Sequence, residues 1–267
     1  MAGRKPTVNE RGAPGHGGLG SERVRSRMAD RLAELGIRDF RVLEAMRSVP
    51  RHLFVDEALA SRAYEHTALP IGFGQTISQP YTVARTAELM LEGVAEPRNA
   101  RVLEIGTGCG YAAAVLAQLF KEVVSVERIR ALHERARANL RELRLPNLRL
   151  VCGDGSLGVP AAAPYAAIAS AAAGDAVPAP WIEQLAAGGR IVAPVGSTEQ
   201  SLEVISKDSE GRVERRKVEA VRFVPLRGGV QCISRQPRRR RSGECRDEVK
   251  HHRPVSDRVG PRRLCLA

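Results

Sequence analysis

The feature that most constrains the fold is the segment VLEIGTGCGY at residues 102–111. An apolar run ends in an acid, glycines then alternate at Gly106, Gly108 and Gly110, and an alanine-rich helical pattern follows. A strand, a glycine turn and a helix in this order present backbone N–H groups to a nucleotide-like ligand at the edge of an α/β sheet. Glycine lets a ligand approach the main chain because it has no Cβ. The alternative is a turn that only packs a helix on a sheet.

The spacing of the glycines favours one ligand over others. A dinucleotide fingerprint needs G-x-G-x-x-G, but Tyr111 occupies the place of its third glycine. A phosphate-binding P-loop needs a lysine after its last glycine, and none follows here. Glu104, two residues before Gly106, suits a ligand with a cationic amine. The segment therefore predicts S-adenosylmethionine rather than NAD or ATP.

Two acids follow the next two predicted strands. Glu127 ends the strand in VVSVERI, 21 residues after Gly106, where an acid accepts hydrogen bonds from ribose hydroxyls. Asp154 follows a strand in VCGDGS and is placed to reach an adenine edge. Read singly, the first could be an exposed strand-end glutamate and the second a plain Asp-Gly turn. Their succession at strand ends, where such sheets bind ligands, favours the cofactor reading.

The rest of the chain predicts an α/β fold with a doubly wound, mainly parallel sheet, because strands and helices alternate from residue 101. We predict strands at 101–105, 122–126, 148–152, 165–170 and 190–195, with helices at 111–119, 130–143 and 177–185. A C-terminal antiparallel strand pair is predicted at 202–206 and 213–224, joined by a turn at 208–211. Upstream we predict helices at 21–35, 39–47 and 81–91 and a loop at 68–80.

The charge of the chain is unevenly distributed. The net charge is +12, of which residues 231–267 carry +7 and residues 21–230 only +3. We expect residues 1–20 and the basic tail 231–267 to be disordered. A tail of this kind could be a nucleic-acid arm. Against that, the body is nearly neutral and only 4% of the residues are aromatic, so stacking platforms for bases are scarce.

The cysteines and apolar windows limit the location of the chain. Five cysteines without a C-x-x-C pair indicate free thiols in a reducing, cytoplasmic setting. We expect no secretory signal and no membrane span, since no window approaches 18 consecutive apolar residues. Cys245, His251 and His252 are the nearest approach to a metal cluster, and we predict no metal site.

The segment GFGQTISQP at residues 72–80 is the other unusual stretch. Hydroxyl and amide side chains between glycines and a proline predict a loop that folds over the sheet edge as a lid or substrate clamp. Ser78 has no G-x-S-x-G surroundings, so it is not predicted to be a hydrolase nucleophile. On composition alone it could also be an ordinary loop serine.

Six segments now resemble one known family: VPRHLFVDEAL, ALPIGFGQTISQPY, RVLEIGTGCGY, VVSVERI, GDGSLG and AVRFVPLRGG, in this order within residues 21–230. The chain resembles bacterial protein-L-isoaspartate (D-aspartate) O-methyltransferases, whose fold is the Rossmann-like fold of class I methyltransferases. GQTISQP is the most specific segment, whereas the glycine motif would suit any class I methyltransferase. The resemblance implies methyl transfer from S-adenosylmethionine to the α-carboxylate of L-isoaspartyl residues in damaged proteins, with S-adenosylhomocysteine as product. The ester then cyclises spontaneously to a succinimide.

The resemblance also assigns residues and boundaries. It implies a methyltransferase domain at 21–230, with N-terminal helices and a substrate loop at 21–98 and a cofactor-binding sheet at 99–230. It implies Ser78 as the catalytic residue, which we expect to hydrogen-bond the substrate carboxylate. The implied cofactor-binding residues are Glu104, Gly106, Thr107, Gly108, Gly110, Tyr111, Glu127, Arg128, Asp154 and Gly155. The implied substrate-binding residues are Thr76, Ile77, Gln79 and Val221.

Some positions depart from the family pattern. Ala166 stands where an acid is frequent, and residues 171–174 read AAAG where T-A-A-P is typical. We expect these changes to weaken the strand at 165–170 or loosen the adjacent site, because alanine and glycine are poor strand formers. Cys109 replaces a frequent serine, with no expected effect.

We expect a monomer that acts on isoaspartyl proteins and peptides, without a membrane or nucleic-acid partner. The alternatives are another class I methyltransferase, acting on a small acid or RNA, or an RNA-binding protein that uses the basic tail.

Overall fold

The computed structural model describes residues 22–232. The chain divides into two units, Met1–Ile233 and Ser234–Ala267. Residues 1–20, almost all of the basic tail, and Cys245, His251 and His252 lie outside the described residues. The disorder predicted for both ends therefore stays a prediction.

The described residues contain alternating helices and strands, preceded by three helices and a hairpin. The helices are α1 Glu22–Glu34, α2 Phe40–Ser48, α3 Pro80–Leu91, α4 Tyr111–Leu119, α5 Arg130–Leu140 and α6 Ala179–Glu183. The strands are β1 Leu69–Gly72, β2 Gln75–Ile77, β3 Arg101–Ile105, β4 Glu122–Glu127, β5 Leu148–Cys152, β6 Tyr165–Ser170, β7 Leu185–Val195, β8 Gln200–Lys207 and β9 Val213–Val221. Short 3₁₀ helices connect several of them, among them Arg51–Phe54 and Glu57–Arg62.

Seven strands form the main sheet in the order β5-β4-β3-β6-β7-β8-β9. The first five run parallel, whereas β8 and β9 are antiparallel to their neighbours. This confirms the predicted mainly parallel α/β sheet with a C-terminal antiparallel pair. The strand order reverses between β3 and β6, and ligands of such sheets bind in the crevice at the carboxyl ends beside that point.

Each face of the sheet has its own apolar layer. Val102, Val123 and Val192 on one face belong to the core that also contains most of the buried apolar residues of α1–α5. Leu103, Val124 and Ile168 alternate with them and pack on the other face, around Trp181 and Tyr165. The alternation follows from the period of two in a strand, which sends successive side chains to opposite faces. Helices consequently cover both faces, as a doubly wound sheet requires.

The predicted loop at 68–80 is wrong for most of its length, because it contains a β-hairpin. β1 and β2 pair antiparallel, and Leu69 and Ile71 are buried while Pro70 and Gly72 are exposed. The glycines carry the turn, since Gly72 and Gly74 have φ of 88° and 69°. Strands of three and four residues are too short for alternation to stand out in the sequence.

Other boundaries differ modestly from prediction. The helix predicted at 177–185 is only α6, because Pro178 and Pro180 restrict its start and Leu185 already belongs to β7. The strand predicted to reach residue 224 ends at Val221. β6 forms over its full predicted length despite the alanines, since it pairs with β3 and β7 on both sides. Within residues 22–232, no helix combines the length and apolarity that a membrane crossing requires.

Candidate active site

Three adjoining pockets lie at the carboxyl ends of the central strands. The first, the glycine cleft, has about 650 Å³ of empty space, including space open to solvent, between the glycine turn, the end of β4, the hairpin and residues 224–227. The second, the outer cleft, has about 1200 Å³ on the same measure between residues 76–82 and 219–224. The third, the inner pocket, has about 390 Å³ between α3, α4 and the end of β6. Ala171 lines all three pockets, so they border one residue.

The glycine turn has a backbone that other residues would not adopt readily. Gly106, Gly108 and Gly110 have φ of 91°, 56° and 94°. Gly106 and Gly108 line the glycine cleft, as predicted for cofactor ligands. Gly110 does not line it, and a Cβ there would come within 2.8 Å of the Leu140 side chain. The third glycine thus serves the packing of α4 on α5.

Glu127 ties the glycine turn to the end of β4. It is 5% exposed, accepts a hydrogen bond of 2.8 Å from Gly108 N through Oε2, and accepts one of 2.8 Å from Ile129 N through Oε1. A carboxylate oxygen has more than one acceptor direction, so both oxygens retain capacity for ligand hydroxyls. Glu127 also lines the cleft, which places it where the sequence predicted a ribose ligand.

Residues 224–231, the closing segment, return over the carboxyl edge of the sheet. Ala173 N donates to Val224 O, Leu226 N donates to Ala173 O, and Gln231 forms a bridge with Ile129. The Arg128 side chain donates to the carbonyls of Gly228 and Gly229 and to Gln231 Oε1. Arg128, predicted as a cofactor ligand, therefore lines the cleft while it holds this segment.

Asp154 also holds the closing segment. Its Oδ1 accepts from the N–H and hydroxyl of Ser156, and its Oδ2 accepts from Gly229 N at 2.5 Å. Burial raises the pKa of this carboxyl, but the hydrogen bonds from Ser156 and Gly229 outweigh it and leave the pKa below its usual value. Gly155, next in sequence, lines the cleft and its carbonyl accepts from Trp181 Nε1 at 2.9 Å.

Ser78 lies between the outer cleft and the inner pocket and lines both. It follows β2 directly and precedes the start of α3, so the end of the hairpin and the helix N-terminus set its position. Thr76, Gln79 and Val221, predicted as substrate ligands, line the outer cleft as well. Thr76 also lines the glycine cleft, so the two clefts border the same residue of the hairpin.

Glu104 faces the inner pocket rather than the glycine cleft. It is 2% exposed and accepts a hydrogen bond of 2.5 Å from Ser125 Oγ, which in turn lies 2.5 Å from Thr107 Oγ1. Burial raises the pKa of Glu104 to about 8, the Ser125 hydrogen bond lowers it, and the charge of Glu127 raises it. A carboxyl group with this pKa is mostly protonated near neutral pH.

Three of the predicted ligands have buried side chains outside the pockets. Ile77 belongs to the apolar core, and the Thr107 hydroxyl lies at Ser125. The Tyr111 ring is 1% exposed, and its hydroxyl donates to Met46 Sδ at 3.7 Å. The family resemblance is the reason for the prediction, but the side chains of Ile77 and Tyr111 belong to the apolar core, and Thr107 in the glycine turn contacts Ser125. None of the three residues lines any of the three pockets.

Several lining residues were not predicted. Ile71, Ile129, Leu132 and Leu226 supply apolar walls of the glycine cleft. Apolar residues in strands and helices give no individual signal of ligand contact, because the sequence pattern assigns them to the core. Ala171 could have been found, since it directly follows β6 at the carboxyl edge of the sheet.

Comparisons with known proteins identify relatives of the chain. The model of the family Protein-L-isoaspartate(D-aspartate) O-methyltransferase (PCMT) matches residues 23–231. A protein-L-isoaspartate O-methyltransferase of Bordetella parapertussis is 57% identical over 235 residues, which are 86% of this chain and 89% of the relative.

Solved structures are similar as well. One protein-L-isoaspartate O-methyltransferase superposes with a TM-score of 0.69 at 32% identity, covering 77% of this chain and 67% of its own. A protein from Plasmodium falciparum, described as a putative member and solved with S-adenosyl-L-homocysteine, has a TM-score of 0.67 at 22% identity, over 76% and 98% of the two chains. The second likeness shows the shared fold. With the family match over most of its length, the chain belongs to the protein-L-isoaspartate(D-aspartate) O-methyltransferase family.

Proposed function

We propose that the glycine cleft, the inner pocket and the outer cleft together form the active site of this enzyme. As a member of its family, the chain is an S-adenosylmethionine-dependent methyltransferase that repairs proteins by methylating the α-carboxylate of L-isoaspartyl residues. The observation that supports the placement is the set of residues that the pockets share. Ala171 lines all three, and Ser78 lines both the outer cleft and the inner pocket.

The glycine cleft fits the adenosine part of S-adenosylmethionine. A Cβ at Gly108 would come within 3.3 Å of Ile71 Cδ1, so the absence of side chains keeps the cleft open there. Glu127 has acceptor capacity for the ribose hydroxyls, and the charge-assisted hydrogen bonds formed by a carboxylate are stronger than neutral ones. Ile129 and Leu226 offer apolar surface to the base. When bound, the cofactor supplies a methyl group activated on a sulfonium.

The inner pocket fits the amino-acid end of the cofactor. Glu104 is the one carboxylic acid among the residues that line this pocket, and it is buried beside small side chains such as Ala112 and Ala169. An ammonium group brought next to a buried carboxyl favours its ionised form. We assign the α-amino group of the cofactor to Glu104 on this basis.

Ser78 orients the substrate carboxylate in our proposal. A carboxylate is already ionised at neutral pH, so methyl transfer needs no general base. It needs alignment of the attacking oxygen with the methyl carbon, and positioning can supply up to about 7–11 kcal/mol in favourable cases. A hydroxyl donates one neutral hydrogen bond, which orients the carboxylate while leaving it more nucleophilic than an arginine clamp would. Thr76, Gln79 and Val221 line the surface on which the peptide lies.

The test is Ser78→Ala, assayed by transfer of labelled methyl groups to an isoaspartyl peptide with the normal aspartyl peptide as control. We expect kcat/KM to fall about 10–100-fold, since the orienting hydrogen bond to a charged group contributes about 1.5–3 kcal/mol. The affinity for S-adenosylhomocysteine should stay within about twofold of wild type. Ser48→Ala is a matched control, because it removes a hydroxyl that donates to Ala45 O within α2. Full activity of Ser78→Ala would refute the assigned role.

We further infer a monomer that acts in the cytoplasm without nucleic acid. Cys109, Cys152 and Cys232 are free thiols, which supports a reducing compartment. The near-neutral charge of residues 21–230 supports a body without a nucleic-acid surface. Truncation after Cys232 keeps the bridge of Gln231 and should leave methyl transfer intact, whereas an RNA-binding function predicts loss of salt-sensitive RNA binding. Light scattering on the full chain tests the monomer.

A further inference from the structure

Arg51 is an arginine whose burial the stability of the fold does not explain. It lies in the 3₁₀ helix Arg51–Phe54 and is 0% exposed. Within residues 22–232 it has no carboxylate within ion-pair distance, and its Nη1 is buried without a hydrogen-bond partner. A buried, unpaired cation is costly, and an apolar side chain of similar volume would pack there at lower cost. Burial accordingly lowers the pKa of this guanidinium, although an arginine stays protonated in proteins.

The contacts of Arg51 join three parts of the chain, one of which contains Ser78 of the proposed active site. Nη2 donates to Ser78 O at 2.7 Å, and Nε donates to Ala63 O at 2.7 Å. The guanidinium carbon lies 4.7 Å from the centroid of the Tyr111 ring. Tyr111 is the first residue of α4 and directly follows Gly110, the last glycine of the turn. One side chain therefore touches both the serine segment and the helix that begins at the glycine turn.

The geometry of the guanidinium suits it to hold two carbonyl groups at once. Its N–H groups are rigidly oriented, so two charge-assisted hydrogen bonds fix the relative position of two carbonyl oxygens. Holding the carbonyl of Ser78 restricts the rotation of the adjoining peptide and with it the direction of the Cα–Cβ bond. The Tyr111 ring fixes the guanidinium relative to the start of α4, since the ring quadrupole attracts a cation that lies over the aromatic face.

We propose that Arg51 is a positioning residue for methyl transfer, which fixes the main chain of Ser78 relative to the start of α4 and so aims the Ser78 hydroxyl at the substrate carboxylate. The inference rests on the role proposed for Ser78. This role explains why an arginine occupies a core position. A lysine would hold the two carbonyl oxygens with a single flexible ammonium group, and an apolar residue would donate no hydrogen bond to them. A displacement of about 1 Å at a reacting group can reduce a rate about a hundredfold.

The test combines Arg51→Lys and Arg51→Gln with Ser78→Ala in double-mutant cycles. We expect each Arg51 substitution to lower kcat about tenfold or more while the affinity for S-adenosylhomocysteine changes less than about twofold. In the Ser78→Ala background the same substitutions should lower kcat less than about twofold, because no hydroxyl remains to be aimed. A role in stability alone would lower activity equally in both backgrounds. Arg51→Gln buries no charge, so it should fold even if Arg51→Lys does not.

Arg190→Gln is the matched control. Arg190 is partly buried, donates to Leu89 O at 2.9 Å and has a buried Nε without a partner among the described residues. Unlike Arg51, it pairs with Glu92, and within residues 22–232 its hydrogen bonds do not reach the segment that carries Ser78. It should leave kcat within about twofold of wild type. Unchanged kcat in both Arg51 variants, equal losses with and without the Ser78 hydroxyl, or failure of both variants to fold would overturn the proposal. Full activity of Ser78→Ala would instead refute the role of Ser78 itself.

Discussion

Replacing Glu104 by glutamine should change how the stability of the cofactor-free protein depends on pH. Burial raises the pKa of this carboxyl from 4.5 to about 8, with the Ser125 hydrogen bond lowering it and the charge of Glu127 raising it. Between these two pH values the native protein binds a proton that the unfolded chain does not. The stability that Glu104 contributes is therefore complete below about pH 4.5 and is lost as the pH rises to about 8.

The size of the effect follows from the same two values. At about 1.36 kcal/mol per pH unit, a rise of the pKa from 4.5 to about 8 corresponds to about 5 kcal/mol of unfolding free energy. This is comparable to the whole stability of many domains, about 5–15 kcal/mol. The substituted glutamine side chain has nearly the same shape, cannot ionise and lacks this pH dependence. Relative to wild type, Glu104→Gln should therefore become progressively more stable between about pH 4.5 and pH 8 and then level off.

Urea denaturation of both proteins, across that range and without cofactor, measures the difference directly. All other titrating groups are common to the two chains, so the difference between the curves isolates Glu104. We expect a change of several kcal/mol in this difference across the range. Parallel curves would refute the reasoning, since they would mean that Glu104 has the same pKa in the folded and unfolded states.

The same residue makes cofactor affinity depend on pH. If an ammonium group binds beside Glu104, it lowers the pKa of the carboxyl, and binding releases a proton below about pH 8. Affinity for S-adenosylhomocysteine should then rise with pH, by at most about tenfold per pH unit, and level off above about pH 8. Calorimetry in two buffers of different ionisation enthalpy counts the released proton. Glu104→Gln should bind more weakly and release none.

Three further substitutions test other parts of the site. Glu127→Gln should weaken S-adenosylhomocysteine binding about 10–100-fold, because charge-assisted hydrogen bonds contribute about 1.5–3 kcal/mol. The control Glu122→Gln, at the start of the same strand, should not weaken it. Equal affinities of the two variants by calorimetry would contradict this prediction. Arg128→Met removes the hydrogen bonds to the closing segment, so stopped-flow traces should show S-adenosylhomocysteine leaving several-fold faster; an unchanged off-rate would contradict it. Gly110→Ala should destabilise the fold by about 1–3 kcal/mol in urea titrations, more than Gly211→Ala, since both have positive φ but only the former meets a neighbouring leucine within 2.8 Å. Equal losses in the two glycine variants would mean that strain, not the clash, decides.

Local patterns in the sequence predicted most of the sheet. β3, β5 and β6 have the predicted bounds. β3 and β6 are mostly buried and mostly apolar, as strands inside a parallel sheet are, whereas β5 is the half-buried edge strand and is bounded by turn residues. The glycine turn was also predictable, since positive φ at Gly106 and Gly108 is a property of single residues. The hairpin at β1 and β2 was not, because its strands are short and gain their stability from packing on the core.

The roles of individual side chains at the site depend on neighbours distant in the chain. Asp154 was predicted as a cofactor ligand from its place at a strand end and Arg128 from the family resemblance, yet both hold the closing segment, which returns from 75 residues or more further along the chain. Glu104 faces the inner pocket because of its register in β3, and only the elements packed over it raise its pKa.

The sequence by itself determined the order of the helices and of the seven strands of the main sheet, the glycine turn and, through GQTISQP and the accompanying segments, the family. These depend on backbone preferences and on short-range spacing. Only the tertiary structure decided which polar groups share a pocket, which arginine donates to the carbonyl of Ser78 and that the carboxyl group of Glu104 is buried away from water. Such properties arise from contacts between residues far apart in the chain, and no short-range pattern in the sequence encodes them.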